Sequence, residues 1–222
     1  SFTLPTSVVD LRVVYSVDDV TVSGTANVTQ LITRDSVTVE PCPKLRELEW
    51  SGGTCTAETR LPLGDATTLT AMTLSVNGID AGFRLPPNVV SLDLHVGNGA
   101  FDATCLMPLT ALQRFTVGVK KDPLDLSCLV ALTRLNAKDA TVSRLPASLV
   151  ECTVVVGADS DFSGLTSLTS LHVTMEELVR LTFPTQLKRL VVLSPNGELG
   201  ESNVADLSLE HFETRFNLNL VC

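Results

Sequence analysis

One short phrase, returning eleven times, constrains the fold of this chain more than any other feature. An apolar residue is followed three places later by a second, and two places after that by a third. Copies start at Val8, Val28, Leu45, Leu69, Val89, Leu112, Leu132, Leu149, Leu168, Leu187 and Leu209. Clear examples are Val89-Val-Ser-Leu92-Asp-Leu94 and Leu168-Thr-Ser-Leu171-His-Val173. Successive starts lie 17 to 24 residues apart. A period near twenty means stacked coils, because a segment that short cannot bury its own apolar face. A chain of 222 residues can make one or two globular domains. The repeat predicts one continuous solenoid over residues 1–222, least regular at 14–64, where the spacing slips.

Each phrase alternates apolar and polar, which is strand periodicity. In Leu92-Asp-Leu94-His-Val96 the three apolar side chains share one face, and Asp93 and His95 share the other. Val and Thr are frequent here, and both suit a pleated surface. Strands at the same point of every coil predict a single parallel sheet. The return segments come in two kinds. One carries Leu4-Pro5, Leu85-Pro86, Leu145-Pro146 or Phe183-Pro184, four residues ahead of the phrase. Proline lacks an amide donor and has a fixed φ, so it suits the entry to a strand. The other reads Asp125-Leu-Ser-Cys-Leu129 or Asp161-Phe-Ser-Gly-Leu165, where the Asp caps a single turn whose Leu packs inward. Neither has room for a long helix, so the returns are expected to be short helical or 3-10 turns and extended stretches. Residues 209–222, with Phe212, Phe216, Leu218 and Leu220, are expected to form either a cap or a truncated coil. With so little sequence flanking the repeat, the chain is expected to be a piece of a longer protein.

The phrase L-x-x-L-x-L/V at this period resembles the leucine-rich repeat superfamily, and the resemblance covers nearly the whole chain. The Leu-Pro variants are similar to short-repeat bacterial and protozoan surface or effector proteins. The resemblance implies an α/β solenoid: a horseshoe of about eleven coils with one parallel sheet on its concave face and short convex segments. It also implies that the concave face binds a partner. One departure stands out. The family's Asn, three residues past the third apolar position, is kept at Asn77 and Asn217 but is replaced elsewhere, for example by Gly53, Gly97 and Ala140. An Asn ladder therefore cannot be the main lateral support. A longer strand is expected to replace it, since Val96, Val119, Val156 and Met175 continue the inward alternation.

The net charge of −9 argues against a nucleic-acid partner, which needs clustered Lys and Arg. No run of 18 apolar residues exists, so no transmembrane helix and no membrane insertion are expected. None of the six Cys has C-x-x-C spacing. Cys152 fills a core slot of its phrase. Cys42 and Cys55 are the nearest pair, but the strand around Trp50 would hold them apart, so free buried thiols are the expectation. Abundant Thr, scarce Lys and the acceptor motif Asn27-Val-Thr29 point to an extracellular or cell-surface protein. The core cysteine points to a cytoplasmic alternative.

Catalytic motifs such as G-x-S-x-G, a phosphate loop or H-E-x-x-H are absent, and no cofactor is expected. Gly97-Asn-Gly-Ala reads as a turn before it reads as an anion cradle. Asp159-Ser-Asp161 lacks the further oxygen ligands of a calcium site. Chemistry is left to the polar side of the strands. Candidate binding residues there are Asp93 and His95, then Arg114, Arg134, Asn136 and Lys138, then His172 and Arg189. The expected function is a non-enzymatic module for a protein or glycan partner. Arg114, Arg134 and Lys138 form a basic patch for an acidic surface. The alternatives are the substrate-selecting part of a larger enzyme or effector, and a structural spacer of a cell-surface protein. Tyr15 and Trp50 are the only Tyr and Trp, so the usual interface anchors are scarce.

Overall fold

The computed structural model describes residues 1–13, 20–34, 37–59, 61, 67–119, 123–156, 160–175, 179–194 and 199–216. Tyr15, Asp159, Asn217, Leu218, Leu220 and Cys222 lie outside them. The chain forms two compact units, Ser1–Leu112 and Gln113–Cys222.

In the first unit the strands are β1 (Phe2–Thr3), β2 (Asp10–Arg12), β3 (Val20–Ser23), β4 (Gln30–Arg34), β5 (Val37–Val39), β6 (Glu47–Cys55), β7 (Ala71–Ile79) and β8 (Ser91–Val96). β2, β4, β6, β7 and β8 pair in that order, all parallel. β1, β3 and β5 make a small parallel sheet of their own. The second unit has β9 (Arg114–Val119), β10 (Leu124–Asp125), β11 (Arg134–Arg144), β12 (Glu151–Val156), β13 (Ser160–Asp161), β14 (Ser170–Met175), β15 (Val179–Thr182), β16 (Arg189–Ser194), β17 (Leu199–Ser202) and β18 (His211–Phe216). Its main sheet runs β9, β11, β12, β14, β16, β18, again parallel throughout. β13, β15 and β17 form the second small sheet, and β10 pairs with the far end of β11.

The architecture is a parallel β-solenoid of about nine turns, with almost no helix. The only helical pieces among the described residues are two 3-10 turns, Ala103–Leu106 and Val204–Asp206. This corrects the expected α/β horseshoe of about eleven coils. Every phrase does supply a strand. The return paths are extended, and several pair laterally instead of coiling into helix.

The alternation decides the core. In β8, Leu92, Leu94 and Val96 are buried, and Ser91, Asp93 and His95 are not. Phe115, Val117 and Val119 of β9 and Leu171, Val173 and Met175 of β14 repeat the pattern. In-register pairing stacks these positions into columns, such as Leu31, Leu48, Met72 and Leu92 in the first unit. In the second, Phe115, Leu135, Cys152, Leu171 and Leu190 stack the same way. From Val28 to Leu187 the first apolar residue of every phrase, Leu132, Leu149 and Leu168 among them, is fully buried, while Val8 and Leu209 of the two end phrases are only partly so. Fully burying such a side chain contributes about 1.5–3 kcal/mol. The longer strands expected from Val96, Val119, Val156 and Met175 are present, all four side chains facing the core.

Lateral support comes from the backbone at most main-sheet strand entries. Two successive N–H groups donate to one carbonyl of the preceding coil. Thr133 N and Arg134 N both reach Gln113 O at 3.0 Å. Val150 N and Glu151 N reach Thr133 O, and Thr169 N and Ser170 N reach Val150 O. Several of these entries add a threonine hydroxyl to the same carbonyl: Thr29 Oγ1 to Val9 O, Thr133 Oγ1 to Gln113 O and Thr169 Oγ1 to Val150 O, at 3.1–3.3 Å. This clamp does the work of an Asn ladder without Asn.

The two kinds of return segment converge on one turn. Val8 N donates to Pro5 O, Val89 N to Pro86 O and Leu187 N to Pro184 O. Leu132 N donates to Leu129 O and Leu168 N to Leu165 O with the same spacing. Asp125 Oδ1 accepts from Ser127 N at 3.0 Å, and Asp161 Oδ1 from Ser163 N at 2.8 Å, as the capping argument requires. Leu126, Leu129, Phe162 and Leu165 pack inward. Asp102 caps the 3-10 turn at Ala103–Leu106 in the same way, through Thr104 N. Gly97-Asn-Gly-Ala lies flat against β7. Gly97 N donates to Val76 O and Gly99 N to Asn77 O, so these amides do not cradle an anion. A Cβ at Gly99 would come within 2.3 Å of Asn77 O, which restricts the position to glycine.

Candidate functional site

The outward face of each main sheet is a grid, its rows set by register. In the second unit one row is Arg114, Arg134, Glu151, Ser170, Arg189 and His211, one residue per strand. The next row, two residues on, is Thr116, Asn136, Thr153, His172, Val191 and Glu213. Neighbouring positions in a row lie about 4.8 Å apart, so each row is a line of touching side chains.

A groove of about 310 Å³ opens across β9, β11, β12 and β14. Arg114, Arg134, Asn136 and His172, four of the candidates, line it together. The lining also includes Thr116, Glu151, Thr153 and Ser170. These four were recognisable as outward-facing, but spacing within a single strand does not say which of them share a groove. Reading across the register would have found them.

Arg134 Nε lies 3.3 Å from Glu151 Oε2, and both side chains are more than half exposed or close to it. Such a pair contributes ~0–1 kcal/mol, so it orients Arg134 more than it stabilises the fold. Among the described residues Arg114 has no carboxylate within ion-pair distance. Asn136 Oδ1 and His172 Nε2 are both buried, and neither has a hydrogen-bond partner. Partial burial pushes the His172 imidazole below the usual histidine range; Glu213 opposes that shift, while Arg189 and Arg215 reinforce it. His172 is therefore neutral at pH 7.

The remaining candidates fall elsewhere. Arg189 is exposed on β16, in register with Ser170. Lys138 is exposed on β11, but the register with β12 shifts between Ala137 and Thr141. Lys138 thus stands where the strand departs from the grid, beside Asp139. Asp93 and His95 belong to the first unit and meet each other, Nε2 lying 2.9 Å from Asp93 Oδ1. On β18, Glu213 takes Arg215 Nε at 2.7 Å and stands 3.7 Å from His211 Nε2. The Arg215 hydrogen bond chiefly holds its carboxyl below the usual range. Val191 points to the outward side by alternation, yet it is buried between its neighbours in the row.

The first unit has its own groove, of about 360 Å³, across β2, β4, β6 and β7. Asp10, Arg12, Gln30, Ile32, Glu47 and Glu49 are among its lining. Gln30 Nε2 donates to Glu47 Oε2 at 2.8 Å. No candidate came from this region, because its phrases are the weakest in the sequence.

Among the described residues no His, Cys, Asp or Glu cluster is arranged to hold a metal. Asp161 spends its oxygen on the turn at Ser163. Cys42, Cys105, Cys128 and Cys152 carry free thiols; Cys152 is buried in the core column and Cys128 only half-buried. Burial pushes Cys105 and Cys152 up to about 12. The Asn27 side chain is engaged at both ends: Nδ2 donates to Thr6 O at 2.9 Å, and Oδ1 accepts from Lys44 Nζ at 2.7 Å. No helix of the described residues is long and apolar enough to cross a membrane. No family model matches this chain, and no curated protein is significantly similar to it.

Proposed function

We propose that this chain is a non-enzymatic interaction module that holds a protein or glycan partner on the outward face of its sheets. One observation carries the reading. The second unit's register brings Arg114, Arg134, Asn136 and His172 into one open groove on a stiff parallel sheet. The eleven-fold phrase, each copy of which makes a strand, supports kinship with the leucine-rich repeats. The basic row favours an acidic partner surface.

The test is retention of a partner from the native source on immobilised protein. Reversal of Arg134 and Lys138 together to Glu should slow association, and more so at low salt. Reversal of Arg84 in a return segment should leave it unchanged. If the Arg84 variant alone loses the partner, the return side binds and the sheet is only scaffold. An extracellular or cell-surface location accompanies this reading, with a cytoplasmic one as alternative. The redox state of the cysteines in protein isolated from its source separates them.

A further inference from the structure

We propose that a second copy of this chain docks end to end on the first, β18 of one copy pairing in parallel with β2 of the next, in the register that the internal coils use. This contact is independent of any partner held on the outward face.

Among the described residues β2 pairs only with β4, and β18 only with β16. Each strand therefore has one open edge, and an open edge is a template for another strand. Neither carries the usual deterrents. There is no proline, no break in register and no inward-pointing charge in the six residues of β18 or the three of β2.

The backbone is set for a parallel step. At internal entries the amide of the first outward residue donates to the preceding coil: Gln30 N to Val9 O, Glu47 N to Thr29 O and His211 N to Lys188 O. Asp10 N holds the donating place in β2, and no strand precedes it among the described residues. Glu210 O holds the accepting place beside β18, and no strand follows it there. An isologous contact between two β18 edges would be antiparallel, whereas every pairing in both main sheets is parallel.

The apolar columns end exposed on the same two strands' coils. Phe212 stands in register with fully buried Leu190, yet it is 48% exposed. Phe2 of β1 stands in register with buried Val22 and is 58% exposed. Val9, at the entry to β2, is 51% exposed. The proposed junction sets Phe212 beside Leu11, which continues into buried Leu31 and Leu48.

Charge selects β2 as the strand that β18 takes. Internal pairing puts Gln30 opposite Asp10 and Ile32 opposite Arg12, and Arg189 opposite His211 and Val191 opposite Glu213. One more step of the same register sets His211 against Asp10 and Glu213 against Arg12. The imidazole has an N–H for the Asp10 carboxylate, and the Arg12 guanidinium has a carboxylate for its fork. Within its own copy Glu213 Oε1 takes Arg215 Nε at 2.7 Å, while Oε2 stands 3.7 Å from His211 Nε2, beyond hydrogen-bond length. Oε2 is thus left for Arg12.

The experiment measures the mass of the purified 222-residue chain by sedimentation velocity over a concentration series. Mass should grow past the dimer, because a head-to-tail contact does not close on two copies. R12E and E213R, each alone, place like charges opposite one another and should raise the concentration needed for association about tenfold. Mixing the R12E and E213R chains should restore growth, since every junction then pairs opposite charges. The double variant R12E/E213R should likewise associate as the parent does. An unchanged melting temperature shows that the variants fold; R12Q and E213Q, with smaller effects in the same direction, serve if a reversal does not. A monomer at every concentration, growth that stops at the dimer, an unaffected R12E chain, or a mixture that fails to recover would each overturn the inference.

Discussion

The two units have cores of the same kind and differ in the face they show. Inside, Leu48, Met72 and Leu92 of the first answer Leu135, Leu171 and Leu190 of the second, buried to the same degree. Outside, the first unit presents Asp10, Glu47, Glu49 and Asp93 against Arg12 and Arg34. The second presents Arg114, Arg134, Lys138, Arg189 and Arg215 against Asp139, Glu151 and Glu213. The lesson is that the inward positions of the repeat are held by packing and the outward ones are free to diverge. A net charge of −9 hides this, since it averages an acidic face with a basic one.

The largest effect should come from the interior of each unit. Leu94→Asp in the first unit and Leu171→Asp in the second each bury an unpaired charge, costing about 4 kcal/mol or more. Both should unfold their unit, while His172→Asp, one residue away on the other face, should shift the urea midpoint only slightly. Equal damage from Leu171→Asp and His172→Asp would mean that the alternation does not govern the fold.

The opposed faces make a sharper test. Reversing Glu47 and Glu49 to Lys should leave association with an acidic partner unslowed, whereas the Arg134 and Lys138 reversal slows it about tenfold at low ionic strength. Stopped-flow measurements across a salt series would read both. If the two reversals act alike, the partner senses only the summed charge and the contrast between faces is idle.

Thiol chemistry separates depth from unit. Cys105 of the first unit and Cys152 of the second, both pushed up to about 12, should resist a disulfide reagent in the native state and react once denaturant is added. Half-buried Cys128 should be modified first. Mass mapping that finds Cys152 labelled before Cys128 would place its strand the wrong way round.

Much of this was legible before any coordinates. The side chains of Leu92, Leu94 and Val96 announce their face by spacing two, and Asp125 and Asp161 announce their turns by chemistry. The small sheets β1-β3-β5 and β13-β15-β17 were not legible, since strands of two to four residues carry no period to detect. Capping by Asp102 escaped because its segment has neither the Pro nor the Asp-Leu-Ser form. In the groove, charge picked out Arg114 and Arg134. Alternation also put Glu151 on the outward side next to these cations, but its contact with Arg134, 17 residues away in sequence, is read only from the register of the two strands.

Acid should produce the smallest difference between the units. Turn hydrogen bonds hold Asp102, Asp125 and Asp161 below the ordinary carboxylate range, mainly through Thr104, Ser127 and Ser163. Their contribution is complete above pH 3.8 and is lost as pH falls through the lower folded values. His172 acts at higher pH: its folded value lies below 6.5, so stability declines as pH drops from 6.5 towards that value. With two of the three Asp turns and His172, the second unit should soften first on acidification. Hydrogen exchange followed from pH 7 to pH 3 would show it, and earlier opening of the first unit would contradict the assignment.

The paired N–H clamp at most main-sheet strand entries gives each sheet a reading frame. Spacing two means that a slip of one residue would turn every inward side chain outward. The clamp restarts the count in each coil: Thr133 and Arg134 lock onto Gln113, and Val150 and Glu151 onto Thr133, although the coils they close differ in length. An insertion in a return segment is thereby cancelled before the next strand begins. An insertion inside a strand garbles that strand alone. Chains built this way can lengthen, shorten and acquire new outward residues coil by coil, without rewriting the coils that follow.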